Sequence, residues 1–535
     1  MTDRSSEASA HIDTFTADRL PPSDQWPLFL WDLPELQYPS RLNASVELLD
    51  RTIDRCGSDR PAILADDGTW TYGRLLNDVQ ATASLFRDVG VQPGNRVLLR
   101  GPNNGRLVVA WLAALRVGAV VVTTIPLLRT GELDALVEIC EPQFAVVDHR
   151  YLDEWTSTRF NGTTISYGDG SADSMEVRGA SASGSSDAVD TASTDTALLA
   201  FTSGTTGRPK ATMHAHRDIL AIADTFSAQI VKPTMDDVFS GSPPLAFTFG
   251  LGGLVVFPLR VGASTVLLES GSPPHLLDAI DHHTITCLFT APTAYRAMLS
   301  GMKDHDTSSL RRCVSAGETL PEATWQAWFD ATGVKLIDGI GATEMLHIFI
   351  SASDDDIRPG RTGRAVPGYR AEVVDDDMQP LPPHAPGRLA VQGPTGCRYL
   401  ADDRQTVYVR DGWNLTGDIY EKDDDGYFRY IARADDMIVS SGYNIAAPEV
   451  ENALLTHPAV AETAVVGTPD PDRGMLVTAY VVLNPEFSPS DDLRGELQDH
   501  VKATIAPYKY PRILEFADAL PKTATGKLQR FRLKT

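Results

Sequence analysis

Ten residues, Phe201-Thr-Ser-Gly-Thr-Thr-Gly-Arg-Pro-Lys210, gather hydroxyls, small residues and one lysine in a pattern that suits a polyphosphate. Gly204, Gly207 and Pro209 let backbone N–H groups turn toward one point, and Thr202, Ser203, Thr205 and Thr206 add hydroxyl donors. Lys210 ends the segment and is the first lysine in the chain. The order differs from G-x-x-x-x-G-K-[ST], which excludes the ordinary P-loop. Stretches of this composition are often solvated linkers. Here Thr196-Ala-Leu-Leu-Ala-Phe201 reads as a buried strand that delivers the loop to a sheet edge.

Four further segments carry compatible chemistry. Ser315-Ala-Gly-Glu318 lets a nucleoside edge approach closely at Gly317, and Asp338-Gly-Ile-Gly-Ala-Thr-Glu344 sets carboxylates and a hydroxyl beside two glycines, Gly339 and Gly341. Thr416-Gly-Asp418 offers a carboxylate able to bind both hydroxyls of a ribose, with Arg433 fifteen residues on. Pro521-Lys-Thr-Ala-Thr-Gly-Lys527 lies near the end of the sequence. Each alone has a plain alternative, since T-G-D is a common turn and a C-terminal lysine ordinarily faces solvent.

Taken together and in this order, the segments resemble those of the adenylate-forming superfamily, which includes acyl-CoA synthetases, peptide-synthetase adenylation domains and luciferases. The resemblance covers nearly the whole chain. It implies that Thr202–Lys210 hold the β- and γ-phosphates of ATP, that Gly317, Glu318, Asp338 and Gly339 line the adenine, and that Asp418 and Arg433 take the ribose. Thr343 would contact the α-phosphate, Glu344 a Mg2+ ion, and Lys527 would carry the adenylation chemistry. Asp435 matches a hinge about which a mobile C-terminal domain rotates before a thiol attacks. Ser440-Ser-Gly-Tyr-Asn444 matches the loop lining the pantetheine path of coenzyme A; relatives often carry two glycines where this chain has Ser441-Gly442. Lys502 and Lys509 are expected partners for CoA phosphates.

Within the superfamily the chain is most similar to the benzoate–CoA and 2-aminobenzoate–CoA ligases. The resemblance rests on Gly339-Ile-Gly-Ala-Thr-Glu-Met-Leu-His347, where Ile340 replaces the usual tyrosine, and on the opening arm from Leu20-Pro-Pro to Asn43. It implies an acyl slot built from Phe247, Thr248, Phe249, Gly341 and His347, for benzoate, 2-aminobenzoate or salicylate. Short- or medium-chain fatty acids, and loading of a carrier protein in trans, are the alternatives. A non-catalytic nucleotide sensor on the same fold would be expected to lack Glu344 or Lys527.

The elements that must position these residues follow from hydrophobic patterning. Ala62–Ala65, Arg96–Arg100 and Ala119–Val122 read as strands, alternating with helices over Ser45–Arg55, Thr71–Val89 and around Val108. Repeated β-α-β units predict an α/β protein with parallel sheets covered on both faces. Residues 1–45, rich in proline and aromatics, read as an extended arm, and 167–194 as a flexible connection. After about residue 360 short strands with Gly and Pro turns suggest a small β-rich unit, and 464–483 has a strand-helix-strand look. A boundary at Arg433–Asp436 divides an N-terminal domain, 1–434, from a C-terminal α+β domain, 435–535.

Composition bounds the rest. At 535 residues two or more domains are expected. A net charge of −24 argues against nucleic acid or an anionic membrane as partner, because both need a basic surface. The runs Asp354–Asp356, Asp375–Asp377 and Asp423–Asp425 read as solvated loops rather than metal sites. Five cysteines without C-x-x-C spacing imply neither zinc nor a disulfide framework and fit a reducing cytoplasm. No signal peptide is read, and the apolar run from Leu107 is broken by Arg116 and Gly118, as a buried helix entering a strand rather than a membrane span. The expected partners are therefore a small carboxylic acid, ATP and CoA, with a homodimer left open.

Overall fold

The computed structural model describes residues 8–202, 209–434, 437–440, 443–470, 474–505, 507–522 and 528–533. Its first sheet has six strands in the spatial order Thr163–Tyr167, Phe144–Asp148, Arg96–Arg100, Val120–Thr124, Thr196–Thr202 and Lys210–Ala215. All pairs are parallel except the last, where Thr202 stands opposite Lys210. The strands are continuous β-branched and leucine runs because both faces are covered. The helix Gly105–Arg116 is buried almost all round, which is why its sequence lacks a polar stripe; Asn104 caps it by accepting from the Leu107 N–H at 3.0 Å.

The second sheet has nine strands, with a parallel centre that includes Leu336–Gly341, Arg312–Ser315, Cys287–Thr290 and Pro61–Ala65, and antiparallel strands at both ends. One hydrophobic core joins it to the first sheet. Arg150 ties the sheets at a polar seam, bonding Asp148 and Glu269 at 2.7 Å each. A third sheet, antiparallel throughout, contains Arg370–Val374, Gly387–Gln392, Trp413–Lys422 and Phe428–Arg433. The chain leaves that sheet at Arg433 and enters a fourth at Met437–Ser440. This last sheet packs on the helices Ala447–Leu455 and Asp491–Thr504 around a separate core that includes Val450, Leu454, Val477 and Leu497. The expected α/β class, small β-rich sheet and α+β C-terminal part are all present.

Two expectations change. Residues 464–483 belong to two long antiparallel strands, Val460–Asp470 and Gly474–Leu483, with no helix between them among the described residues; the helices lie on either side in sequence. The 167–194 connection carries a helix, Met175–Ala180, packed on Tyr72–Asp88, and is anchored beyond it by Val189 N–H to the Arg116 carbonyl at 2.8 Å. Its small residues permit close packing there, with Gly179 against the Ala81 backbone. The N-terminal arm does wrap the body. Leu28 and Leu30 bond the carbonyls of Gly412 and Gly393, and Asp13 pairs with buried Arg96. All five cysteines are free. Among the described residues no helix is long and apolar enough to cross a membrane. All three acidic runs are engaged in ion pairs: Asp354 with Lys232 and Arg312, Asp376 with Arg388, and Asp425 with Arg358.

Candidate active site

Lys210 leaves the phosphate loop on an edge strand and points at Glu344, 3.2 Å away. Ser203, Gly204, Thr205, Thr206 and Gly207 lie outside the described residues, whereas Thr202 ends the preceding strand and faces Lys210 across the ladder. Thr343 and Glu344 sit on a single 3-10 turn, Thr343–Met345. Leu346, just after it, holds φ +66°, a left-handed conformation rare for a branched side chain and costing on the order of 1–3 kcal/mol. The turn is pinned from behind by His214, whose Nε2 lies 2.8 Å from the Thr343 carbonyl. Burial pushes this imidazole down to about 4, so it is neutral and donates from Nε2. No motif in the sequence singled out His214.

The candidate nucleoside residues converge from three strands. Asp418 and Arg433 are cross-strand partners, with the guanidinium 3.0 Å from the carboxylate. Burial raises the Asp418 carboxyl and Arg433 opposes it. Gly417 has φ +79° and lies against the Arg433 guanidinium, so a side chain there would be strained. Asp338 opens onto a cleft of about 1150 Å³ that also reaches Arg361, Glu449 and Lys509. Ser315 is its neighbour on the next strand, with a buried hydroxyl that finds no partner. Gly317 has φ +90°, and Glu318 accepts from the Thr293 N–H at 3.4 Å. Gly339 is required by packing, since a Cβ there would lie 2.8 Å from the Ile348 side chain.

Loss of water pushes the Asp338 carboxyl up to about 8. An adenine amino group donating to it favours the carboxylate, so nucleotide binding should release a proton. ATP affinity is expected to rise with pH up to that value, by as much as ~10-fold per pH unit for one coupled proton, and to level off above it. Titration calorimetry at several pH values checks this. Asp338→Asn should flatten the dependence, and an equally steep profile in the variant would remove Asp338 from the adenine site.

In the candidate acyl region, His347 is buried and ringed by Phe226, Phe249 and Phe257 at centroid distances of 5.2, 5.8 and 4.7 Å. Neither ring nitrogen has a well-formed hydrogen bond, the Phe249 backbone being the one polar group that acts on it, and burial pushes the imidazole down to about 3. Gly252 completes the enclosure, because any Cβ there would strike the imidazole. Phe226 and Phe257 come from outside the two acyl segments, and no motif pointed to them. Thr248 and Phe249 start the short helix Thr248–Leu251, while Phe247, just before it, is exposed. A Cβ on Gly341 would meet the His347 carbonyl oxygen at 2.8 Å. A side chain on Gly341 would therefore clash with backbone, and Gly341→Ala would disturb the turn itself.

Of the C-terminal residues, Lys509 faces the cleft and pairs with Glu449 at 2.5 Å, whereas Lys502 pairs with Asp499 at 2.8 Å on the helix surface. Asp435, Ser441, Gly442 and Lys527 lie outside the described residues.

Parallel α/β sheets, a lysine–glutamate pair at the exit of a hydroxyl-rich segment and the cross-strand Asp418–Arg433 pair fit an enzyme of the adenylate-forming class; the cleft beside Asp338 is lined by neither Lys210 nor Glu344. The AMP-binding enzyme family matches residues 49–399, and the AMP-binding enzyme C-terminal domain matches 449–527. The chain belongs to this family and is an AMP-forming acid–thiol ligase of the acyl-CoA synthetase kind. It is 35% identical to benzoate–CoA ligase of Thauera aromatica, over 94% of this chain and 97% of that one. It is 34% identical to 3-hydroxybenzoate–CoA ligase of Aromatoleum sp. (strain CIB), over 92% and 96%. The crystal structure of the anthranilate CoA ligase AuaEII in complex with anthranoyl-AMP superposes with a TM-score of 0.89 at 34% identity, covering 94% of this chain and 98% of that one.

Proposed function

We propose that the protein is an ATP-dependent aryl-acid–CoA ligase for benzoate-type acids, with 2-aminobenzoate and salicylate favoured over plain benzoate. The observation that carries this reading is the neutral His347 on the acyl segment, enclosed by aromatic rings and without a well-formed hydrogen bond. An aromatic wall accepts a flat ring by stacking or edge contact. A buried imidazole without a well-formed hydrogen bond then favours a ligand that brings a hydrogen-bonding substituent. The benzoate, hydroxybenzoate and anthranilate ligases among the relatives support the same class.

In this reading residues 1–434 bind ATP and the acid, and 435–535 form a mobile domain that presents Lys527 for adenylation and later the Ser441-Gly442 loop for CoA. The acid carboxylate attacks the α-phosphorus, the bond to the pyrophosphate oxygen breaks, and acyl-AMP forms. Two anions must approach, so the task is electrostatic. Lys527 would touch both the carboxylate and the α-phosphate, Lys210 would bind the β- and γ-phosphates, and the Thr343 hydroxyl would orient the α-phosphate. Asp418 and Arg433 would hold the ribose. Glu344 suits Mg2+, because a hard cation of this kind is held by one or two carboxylates and completes its shell with phosphate oxygens and water. Glu344 would supply one such carboxylate once Lys210, now beside it, has gone to phosphate. Mg2+ would neutralise phosphate charge. In the second half-reaction the CoA thiolate attacks the acyl carbonyl and AMP leaves. Lys509 and Lys502 would exchange their carboxylate partners for CoA phosphates.

The test is an AMP-release screen, dependent on ATP and CoA, over benzoate, 2-aminobenzoate, salicylate, phenylacetate and medium-chain acids. A preference for medium-chain acids would overturn the aryl reading while leaving the ligase chemistry intact. In the same assay His347→Ala is expected to cost the ortho-hydroxy and ortho-amino acids about 10-fold more in kcat/KM than benzoate, the scale of one lost hydrogen bond. Benzoate reports the cavity left by the substitution. Equal losses on benzoate and salicylate would exclude a polar role for His347.

A further inference from the structure

Tyr399 belongs to none of the segments that carry the nucleotide chemistry, yet it joins two of them. Its side chain is fully buried. The phenol donates to the Glu344 carboxylate at 2.5 Å and accepts from the Lys210 ammonium. Lys210 also lies over two rings, 4.4 Å from the centroid of Tyr399 and 5.5 Å from that of Tyr408, a cation–π cage for the ammonium. The backbone around Tyr399 leaves it little freedom. It forms a bridge with Thr212 on the strand that carries Lys210, and its N–H donates to the Gln405 side chain at 2.9 Å.

We infer that Tyr399 is a positioning residue: it holds Glu344 and Lys210 as a neutralised pair before nucleotide binds, and keeps Glu344 oriented toward the divalent cation once Lys210 has moved to phosphate. This rests on the reading of Glu344 as the metal-facing carboxylate and goes beyond it. The physical need is plain. A buried carboxylate left without a counter-charge is costly, so something must compensate Glu344 in the free enzyme. Lys210 does so from its place beside Tyr399 and Tyr408. The phenol cannot supply charge, but as a donor it fixes one carboxylate oxygen and leaves the other to turn outward. Partners of this kind, one step behind a metal ligand, typically change metal affinity by about 10–100-fold.

The experiment titrates Mn2+ by electron paramagnetic resonance into the full-length enzyme with α,β-methylene-ATP, an analogue that cannot transfer its adenylyl group. Binding of the same analogue in the presence of EDTA is measured in parallel. Tyr399→Phe keeps the ring and removes the hydroxyl. It should raise the Mn2+ dissociation constant about 10–100-fold without weakening metal-free binding of the analogue. Unchanged Mn2+ affinity, or an equal loss of analogue binding with and without metal, overturns the inference, the second outcome pointing to a merely structural tyrosine. A double-mutant cycle with Glu344→Gln adds an independent reading: in that background Tyr399→Phe should have little further effect, and full additivity would count against the coupling. If Glu344→Gln alone leaves Mn2+ affinity intact, the metal role of Glu344 falls. If Glu344→Gln weakens binding and Tyr399→Phe does not, only the role of Tyr399 falls.

Discussion

Replacing Lys527 with alanine is expected to lower adenylation by ~10²–10³-fold, the scale of one preorganised electrostatic contact in a water-poor site. The carboxylate and the triphosphate repel each other in the ground state, and negative charge builds further as the α-phosphorus is attacked. A single ammonium touching both relieves that repulsion without any proton transfer, and an alanine cannot. The chain offers few substitutes: Lys210 begins the strand that leaves the phosphate loop and is already engaged with Glu344. The effect should be confined to the first half-reaction. Pyrophosphate exchange measures adenylation, and synthesis of acyl-CoA from preformed acyl-adenylate measures thiolysis. Equal losses in both assays would mean that Lys527 serves one fixed arrangement of the C-terminal domain, and the two-conformation mechanism would fail.

Asp435→Pro should separate the half-reactions in the opposite sense. The chain leaves the third sheet at Arg433 and enters the fourth at Met437, so a rotation of the C-terminal part, if the enzyme uses one as proposed, would fall within residues 434–436. Proline fixes φ near −65° and removes a backbone donor, which restricts the turn to one orientation. Adenylation is expected to survive, whereas thioester formation should fall by about 10²-fold, the cost of holding reacting groups slightly out of place. The two assays above, run on this variant, decide it. Steady-state turnover equal to that of the parent would sink Asp435 as the hinge.

The alternation of strand and helix through residue 341 and the short strands beyond 360 were legible in the sequence, because patterns of period two and 3.6 report directly which faces are covered. The helix–strand reading of the run from Leu107 to Thr123 succeeded for that reason. The apolar runs 464–467 and 476–483 are strands as read; the helix expected between them is absent among the described residues because the strands pair directly with each other, Asp470 opposite Gly474. The 167–194 stretch misled because Gly and Ser permit close packing as readily as they permit disorder.

By itself, then, the sequence determined which chemistry is available: a hydroxyl- and glycine-rich loop for phosphate, carboxylates at Asp338, Glu344 and Asp418, and a lysine near each end of the catalytic order. Those properties are local, since side-chain type and the backbone freedom of glycine act within a few residues. Even the spacing of Asp418 and Arg433 becomes informative only when both lie on neighbouring strands. The tertiary structure alone decided the company these residues keep. Tyr399 reaches Lys210 across 189 positions and Glu344 across 55, and His347 is enclosed by Phe226 and Phe257 from separate helices. It also decided that Gly341 lies against the His347 backbone. Such contacts are set by how sheets and helices pack, and packing is a property of the whole chain that no short motif encodes.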